Sequence, residues 1–244
     1  MTKITFWGDV RHFCFFYFPL TCSLIPNTLL QWRCKYRKKK VALIVAHPDD
    51  ETLWAGGMLL SNPHWECFIV CLCRKYDPDR APKFYRMLEV LQCTGTMGNL
   101  DDGPDQIPQD KSEIDRLILQ LLPAEHYDII LTHNPLGEYT RHLRHEETGC
   151  SVIGLWDEGK ISCGELLVFA YEDHNKQYYS KAMPNADIQL KLPSDIWQKK
   201  HEIMTRIYGF TPNSWEAQTT PKTEAFWRFS SKKDASNWLK ETKL

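Results

Sequence analysis

The chain has 244 residues, 43% of them hydrophobic and 25% charged, and its 30 lysines and arginines nearly cancel 31 aspartates and glutamates. That length suits one large domain, and the charge balance gives no basic surface to recommend a nucleic acid as partner. Nine cysteines, an odd number with no Cys-x-x-Cys pair, argue against a disulfide framework and for reduced thiols in a cytoplasmic protein.

Residues 1–40 differ from the rest. Phe13 to Trp32 is an uncharged stretch of twenty residues, and Arg33 to Lys40 follows with six basic residues in eight. The expectation is an N-terminal extension outside the core fold. A membrane tether facing the cytoplasm through 13–32 is the alternative, against which Pro19 and Pro26 interrupt a continuous helix. From Val41 onward the pattern becomes regular. Residues 41–46 (VALIVA) are a short apolar run, as in a strand buried on both faces. A helix starts at the acidic residues that follow, because carboxylates suit a first helical turn. Residues 67–73 (CFIVCLC) read as a second strand. In 81–92, Phe84, Met87, Leu88 and Leu91 fall on one helical face. Residues 112–122 begin with a Ser-x-x-Asp cap pattern and repeat Ile114, Leu117, Ile118 and Leu121 at the same spacing. A strand at 127–132, a helix at 144–156, a strand at 165–171 and a helix at 194–209 ended by Gly209 complete the series. Alternation of this kind predicts a Rossmann-like, doubly wound α/β fold with a mostly parallel sheet over 41–244. The aromatic tail (Trp215, Phe226, Trp227, Phe229, Trp238) is expected to cover the sheet or its edge, with a substrate-lining role as the lesser reading.

In such sheets the ligand crevice lies beyond the carboxyl ends of the strands. Two polar loops fall there: His47 to Glu51 after the first strand, and residues 133–147 (HNPLGEYTRHLRHEE) after the strand at 127–132. His47 and Asp50 are three apart, as are His142 and His145, so each pair can face one point. Three neighbouring carboxylates repel one another unless a cation offsets them. Two histidines and a carboxylate with an open position suit catalytic zinc, and a spare carboxylate beside its water can act as general base.

The hexapeptide AHPDDE (46–51) after a buried strand, with a later GEY and an H-x-x-H (142–145), resembles the PIG-L (LmbE-like) family of zinc-dependent N-acetylglucosaminyl deacetylases. The resemblance spans roughly 41–210. It implies His47, Asp50 and His145 as ligands of one zinc ion, Asp49 as general base and His142 as the histidine that stabilises the oxyanion. It further implies substrate contacts from Arg80, from Tyr139 and from Asp101 or Asp102. Glu51 is left to support the helix start. This sequence departs from the family pattern by one extra residue between Tyr139 and His142.

The expected partner is therefore a small N-acetylated sugar or glycoconjugate. A different N-acyl amine, or a carbohydrate-binding relict of the same site, are the competing readings. A nucleotide-binding Rossmann protein is disfavoured, because no glycine-rich phosphate loop follows the first strand and Gly56 and Gly57 fall inside the helix. His133 is read as lining the site or as a hydrogen-bonded structural histidine, and Trp54 as core.

Overall fold

The computed structural model describes residues 38–242. The uncharged stretch at 13–32 lies outside them, and among the described residues no helix is long and apolar enough to cross a membrane.

The apolar runs form the strands expected of them. In chain order the elements are β1 (Lys40–Val45), α1 (Asp50–Ser61), β2 (Glu66–Cys73), α2 (Arg80–Leu91), β3 (Thr94–Leu100), α3 (Lys111–Leu121), β4 (His126–Thr132), α4 (Leu143–Asp157) and β5 (Ser162–Phe169). There follow a small hairpin, β6 (Tyr171–Glu172) and β7 (Lys181–Ala182), then β8 (Ile188–Lys191), α5 (Ser194–Glu202), α6 (Trp215–Thr219), β9 (Thr223–Phe229) and α7 (Lys232–Thr242). Seven strands make one sheet in the order β3-β2-β1-β4-β5-β9-β8. The first five run parallel, while β9 pairs antiparallel with both β5 and β8.

Alternation along β1 shows why its run had to be wholly apolar. Val41, Leu43 and Val45 enter a core shared with α1 and α2, while Ala42 and Ile44 enter a second core under α3, α4 and α7. Every one of these side chains is fully buried, so a polar residue anywhere in β1 would meet no water. The order of strands reverses on either side of β1, with β2 on one edge and β4 on the other. The crevice at this switch point is where both polar loops emerge.

Several elements differ from the sequence expectation. Strand β3 contains Gly95, Gly98 and two threonines, which hide it from a search for apolar runs. Helix α3 starts one residue before the expected Ser112, and Asp110, not Ser112, caps it by accepting from the Ser112 amide (2.9 Å). The helix expected over 194–209 is α only to Glu202. Ile203–Ile207 then form a π turn, in which Tyr208 N donates to Ile203 O five residues back (3.0 Å). Gly209 follows with φ 80°, as a helix stop requires.

Helix α1 is buried on almost every side, and its glycines allow the close packing. A Cβ on Gly57 would lie 2.4 Å from both methyls of Leu192 and 2.9 Å from Glu224 Oε1. That carboxylate accepts from the Gly57 and Met58 amides (2.6 and 2.7 Å) and pairs with the fully buried Lys200 (2.7 Å). On the other face, Gly149 lets α4 lie against the end of β4, since a Cβ there would stand 2.4 Å from His133 O. Gly149→Ala is therefore expected to destabilise the protein by about 1–3 kcal/mol, because the obstacle is main chain and cannot rotate away. Chemical denaturation measures this; an unchanged midpoint would show that α4 can shift freely.

Candidate active site

The site assembles from loops that leave β1, β2, β3 and β4 at one edge of the sheet. Its first part follows β1. His47 N donates to Asp50 Oδ2 (2.8 Å), closing a turn that starts α1 and points the His47 ring and the Asp50 carboxylate the same way. Between them Asp49 has φ 123°, a region that favours glycine and costs other residues about 1–3 kcal/mol. Its carbonyl accepts from Thr52 and Leu53, so the helix starts at the strained residue itself.

The second part follows β4. His145, in the first turn of α4, brings its Nε2 to 3.1 Å from His47 Nδ1 and 3.3 Å from Asp50 Oδ2. His47 Nδ1 is in turn 3.1 Å from Asp50 Oδ2. The three atoms form a nearly equilateral triangle in a buried setting: His47, Asp50 and His145 expose only 8%, 3% and 0% of their surface.

The outer nitrogens decide what this triangle is. His47 Nε2 lies 3.0 Å from Asp102 Oδ1, and His145 Nδ1 lies 2.6 Å from Glu138 Oε2. A carboxylate only accepts, so each outer nitrogen carries its ring's proton and each inner nitrogen presents a lone pair. Two lone pairs and a carboxylate oxygen thus converge with no proton of their own to share. A cation resolves the conflict. Neighbouring ligands around a tetrahedral zinc with bonds of about 2.0–2.1 Å stand roughly 3.3 Å apart, close to the spacing here. The donor set fits zinc, and carboxylates behind ligating histidines are the usual outer support of such sites. Without a cation, protons fill the site. Burial disfavours a charged His47, yet Asp102 and Asp50 outweigh it and raise its pKa well above the ordinary value. Asp50, against the same burial, is held well below the usual range chiefly by His145.

His133 shares the cluster but is placed differently. The Ala46 amide donates to its Nε2 (3.0 Å), which also lies 3.3 Å from Asp50 Oδ2, and Glu138 holds its Nδ1 (3.1 Å). Burial lowers its pKa while Glu138 and Asp50 raise it, to about 9. The amide pointing at Nε2 nevertheless needs a lone pair there, and we assign the neutral form. His133 ties β1 to β4 beneath the site, and with Asp50 and His145 it also forms a set close enough to hold a cation.

Asp49 and His142 face a cavity of about 160 Å³ lined also by His47, Asp50, Arg74, Arg80, Tyr139 and Trp215. Burial, with Asp50 beside it, pushes the Asp49 carboxyl well above its ordinary range, against the attraction of Arg80, whose Nη1 lies 2.9 Å from Asp49 Oδ2. Burial and the neighbouring His145 and His47 lower His142 to about 3, so it is a neutral imidazole at physiological pH. Its Nδ1 is buried without a hydrogen-bond partner, the kind of group a ligand would satisfy. The Tyr139 ring packs against Trp215 (centroids 4.6 Å apart) and reaches the cavity despite the extra residue before His142. Asp173 pins that longer loop by accepting from the amide and hydroxyl of Thr140, both at 2.7 Å.

The remaining expectations divide. Of the two aspartates left open, Asp102 belongs to the site: it holds His47 with one oxygen and Arg74 with the other (2.8 Å to Nε), and does not line the cavity. Asp101 is more exposed and turns to Arg144 instead, through its main-chain oxygen and its carboxylate (3.7 Å). Trp54 is core, and its Nε1 also donates to Asp50 Oδ1 (3.2 Å). The aromatic tail splits in two. Phe226, Trp227, Phe229 and Trp238 pack on the sheet as expected, whereas Trp215 lines the cavity. Sequence reasoning missed Glu138 and Arg74 as members of the site. Glu138 stands inside the GEY stretch, but five residues after one histidine and seven before another its spacing does not mark it as their support, and Arg74 resembles any arginine at a strand end.

No protein-family model matches the sequence. Among solved structures, N,N'-diacetylchitobiose deacetylase from Pyrococcus horikoshii superposes with a TM-score of 0.59 over 81% of this chain and 86% of that one, at 18% identity. The LmbE-like fold is shared. The 4-carboxy-2-hydroxymuconate hydratase GalB from Pseudomonas putida also has it, with a TM-score of 0.54 over 78% of this chain and 95% of that one, at 16% identity. An uncharacterised protein of Acanthamoeba polyphaga mimivirus is 22% identical over 198 residues, covering 75% of this chain and 81% of its own. Because an LmbE-like fold carries a hydratase as well as deacetylases, the chemistry here has to be argued from the side chains.

Glu138 is the test of whether this cluster is built for a cation, since one buried carboxylate orients both His145 and His133. Glu138→Gln keeps the shape and removes the charge. Zinc affinity, measured by competition with a chelator, is expected to fall roughly 10- to 100-fold. Unchanged affinity would remove the outer carboxylates from the account.

Proposed function

We propose that the protein is a zinc-dependent hydrolase that removes the N-acetyl group from an N-acetylglucosamine-type glycoconjugate. The observation that carries this reading is the meeting, at one small cavity, of a His47–Asp50–His145 triangle fit for a cation with a further carboxylate, Asp49, and a neutral imidazole, His142, whose Nδ1 is unpartnered. When bound by those three ligands, zinc supplies Lewis acidity, which acidifies water and polarises an amide carbonyl.

The chain's own residues do the rest. Burial raises the affinity of Asp49 for a proton, the direction a general base requires, and it takes the proton of the attacking water. It then delivers that proton to the departing amine nitrogen. His142, neutral in the free site, donates an N–H to the carbonyl oxygen as that oxygen gains charge. Tyr139 and Trp215 form the aromatic wall along which a sugar ring packs, and Arg80 offers its remaining donors to the ring hydroxyls. A cavity of about 160 Å³ is well below the several hundred that enclose a drug-sized ligand, so it takes the acyl amide and part of one ring, with the rest of the conjugate outside.

Screening the purified protein for acetate release from a panel of N-acetylated sugars and conjugates tests this. Activity is expected to vanish with a chelator and return with zinc. Asp49→Asn should retain about one zinc per chain and lose roughly 10²- to 10⁴-fold in turnover. Full activity in Asp49→Asn would exclude Asp49 as the base. Release of a different acid from other N-acyl amines would keep the machinery and change the substrate.

A further inference from the structure

The strained backbone of Asp49 needs an explanation that neither metal binding nor base catalysis supplies. Its amide donates to Glu51 Oε2 (3.0 Å), so Glu51 reaches back over one residue and holds Asp49 from behind. Glu51 is itself fully buried, and its other oxygen accepts from Thr52 Oγ1 and from Tyr208 Oη, both at 2.7 Å. Tyr208 is distant in sequence and 2% exposed. It arrives from the π turn at Ile203–Ile207, whose Ile203 and Met204 are buried in the core beneath α1. A π turn inside a helix is costly and often marks a functional constraint.

The same segment approaches Asp49 a second time. Phe210, two residues beyond Tyr208, carries the Arg80 guanidinium over its ring (4.7 Å to the centroid), and Arg80 grips Asp49 Oδ2. Residues 203–210 thus reach the backbone of Asp49 through Glu51 and its carboxylate through Arg80. Glu51 does not line the cavity, and its reach to the site is the hydrogen bond to the Asp49 amide.

We infer that Tyr208 is a positioning residue: by holding Glu51 it keeps Asp49 in the strained positive-φ conformation that aims its carboxylate into the cavity. The inference rests on the reading of Asp49 as the base. The π turn is then the device that brings the Tyr208 hydroxyl to Glu51, and a segment far from both polar loops becomes part of the site.

The test compares Tyr208→Phe, Glu51→Gln and their combination with the wild type. Tyr127→Phe serves as control, because it deletes a buried hydroxyl that donates to Pro123 O at the opposite end of the sheet. Turnover in Tyr208→Phe should fall roughly 10- to 100-fold, as for a misplaced catalytic group, with KM within about twofold and zinc content unchanged. Glu51→Gln should behave alike, and the double variant should be no worse than the more damaged single one, since both act through one hydrogen bond. Additive losses, unchanged turnover in Tyr208→Phe, or losses that follow zinc content or Tm and recur in Tyr127→Phe would overturn the inference. Crystal structures separate this from failure of the proposed function. If no N-acetyl substrate is turned over, Asp49 moving to negative φ in Tyr208→Phe still supports the positioning role, and an unmoved Asp49 overturns it.

Discussion

The convergence of two imidazole lone pairs on one carboxylate oxygen is the constraint on which the rest of the site depends. His47 Nδ1, His145 Nε2 and Asp50 Oδ2 stand 3.1–3.3 Å apart in a nearly dry setting, which is tolerable only with positive charge between them. The surroundings prevent escape. Asp102 behind His47 and Glu138 behind His145 fix which nitrogen faces inward, and Trp54 holds the second oxygen of Asp50. Arg74 in turn neutralises Asp102, and the Asn134 amide (2.7 Å) together with His133 satisfies Glu138. Each buried charge has its partner, and the unpaired requirement is concentrated at the centre.

The fold makes this arrangement affordable by letting each strand end deliver one part. β1 leads to His47 and Asp50, β2 to Arg74, β3 to Asp102, and β4 to His133, Glu138 and, through α4, His145. Parallel strands are needed for four ends to meet on one side, and the switch point between β2 and β4 opens the space they share. A second buried ion pair, Lys200 with Glu224, lies away from this centre. It ties α5 and β9 to the amides of Gly57 and Met58, and so locks the far half of the helix whose start carries Asp50. Aiming Asp49 and holding α1 are therefore separate tasks given to separate carboxylates, Glu51 and Glu224.

What the sequence revealed followed from local pattern, and what it hid required tertiary contact. The apolar run of β1, the His47-to-Glu51 cluster and the spacing of His142 and His145 are local, and they placed the two loops on one edge. Glu138 and Arg74 act through partners dozens of residues away or through nitrogens that spacing does not reveal. Tyr208 is 157 positions from Glu51, and only a π turn brings it there. Asp101 and Asp102 could not be separated until the end of β3 set which one turns inward. Strand β3 escaped because its glycines remove the apolar signature, yet those glycines let Leu88, Leu117 and Leu121 pack close to the sheet. The extra residue before His142 is absorbed by the Asp173–Thr140 contacts, so a departure in spacing left Tyr139 at the cavity.

The most direct test of this account is anomalous X-ray diffraction from crystals of the full chain soaked in zinc. A single strong peak within bonding distance of His47 Nδ1, Asp50 Oδ2 and His145 Nε2 is the expected result, with Asp49 and His133 making no bond to it. A peak bonded to His133 in place of His47, or no peak at the triangle, would contradict it.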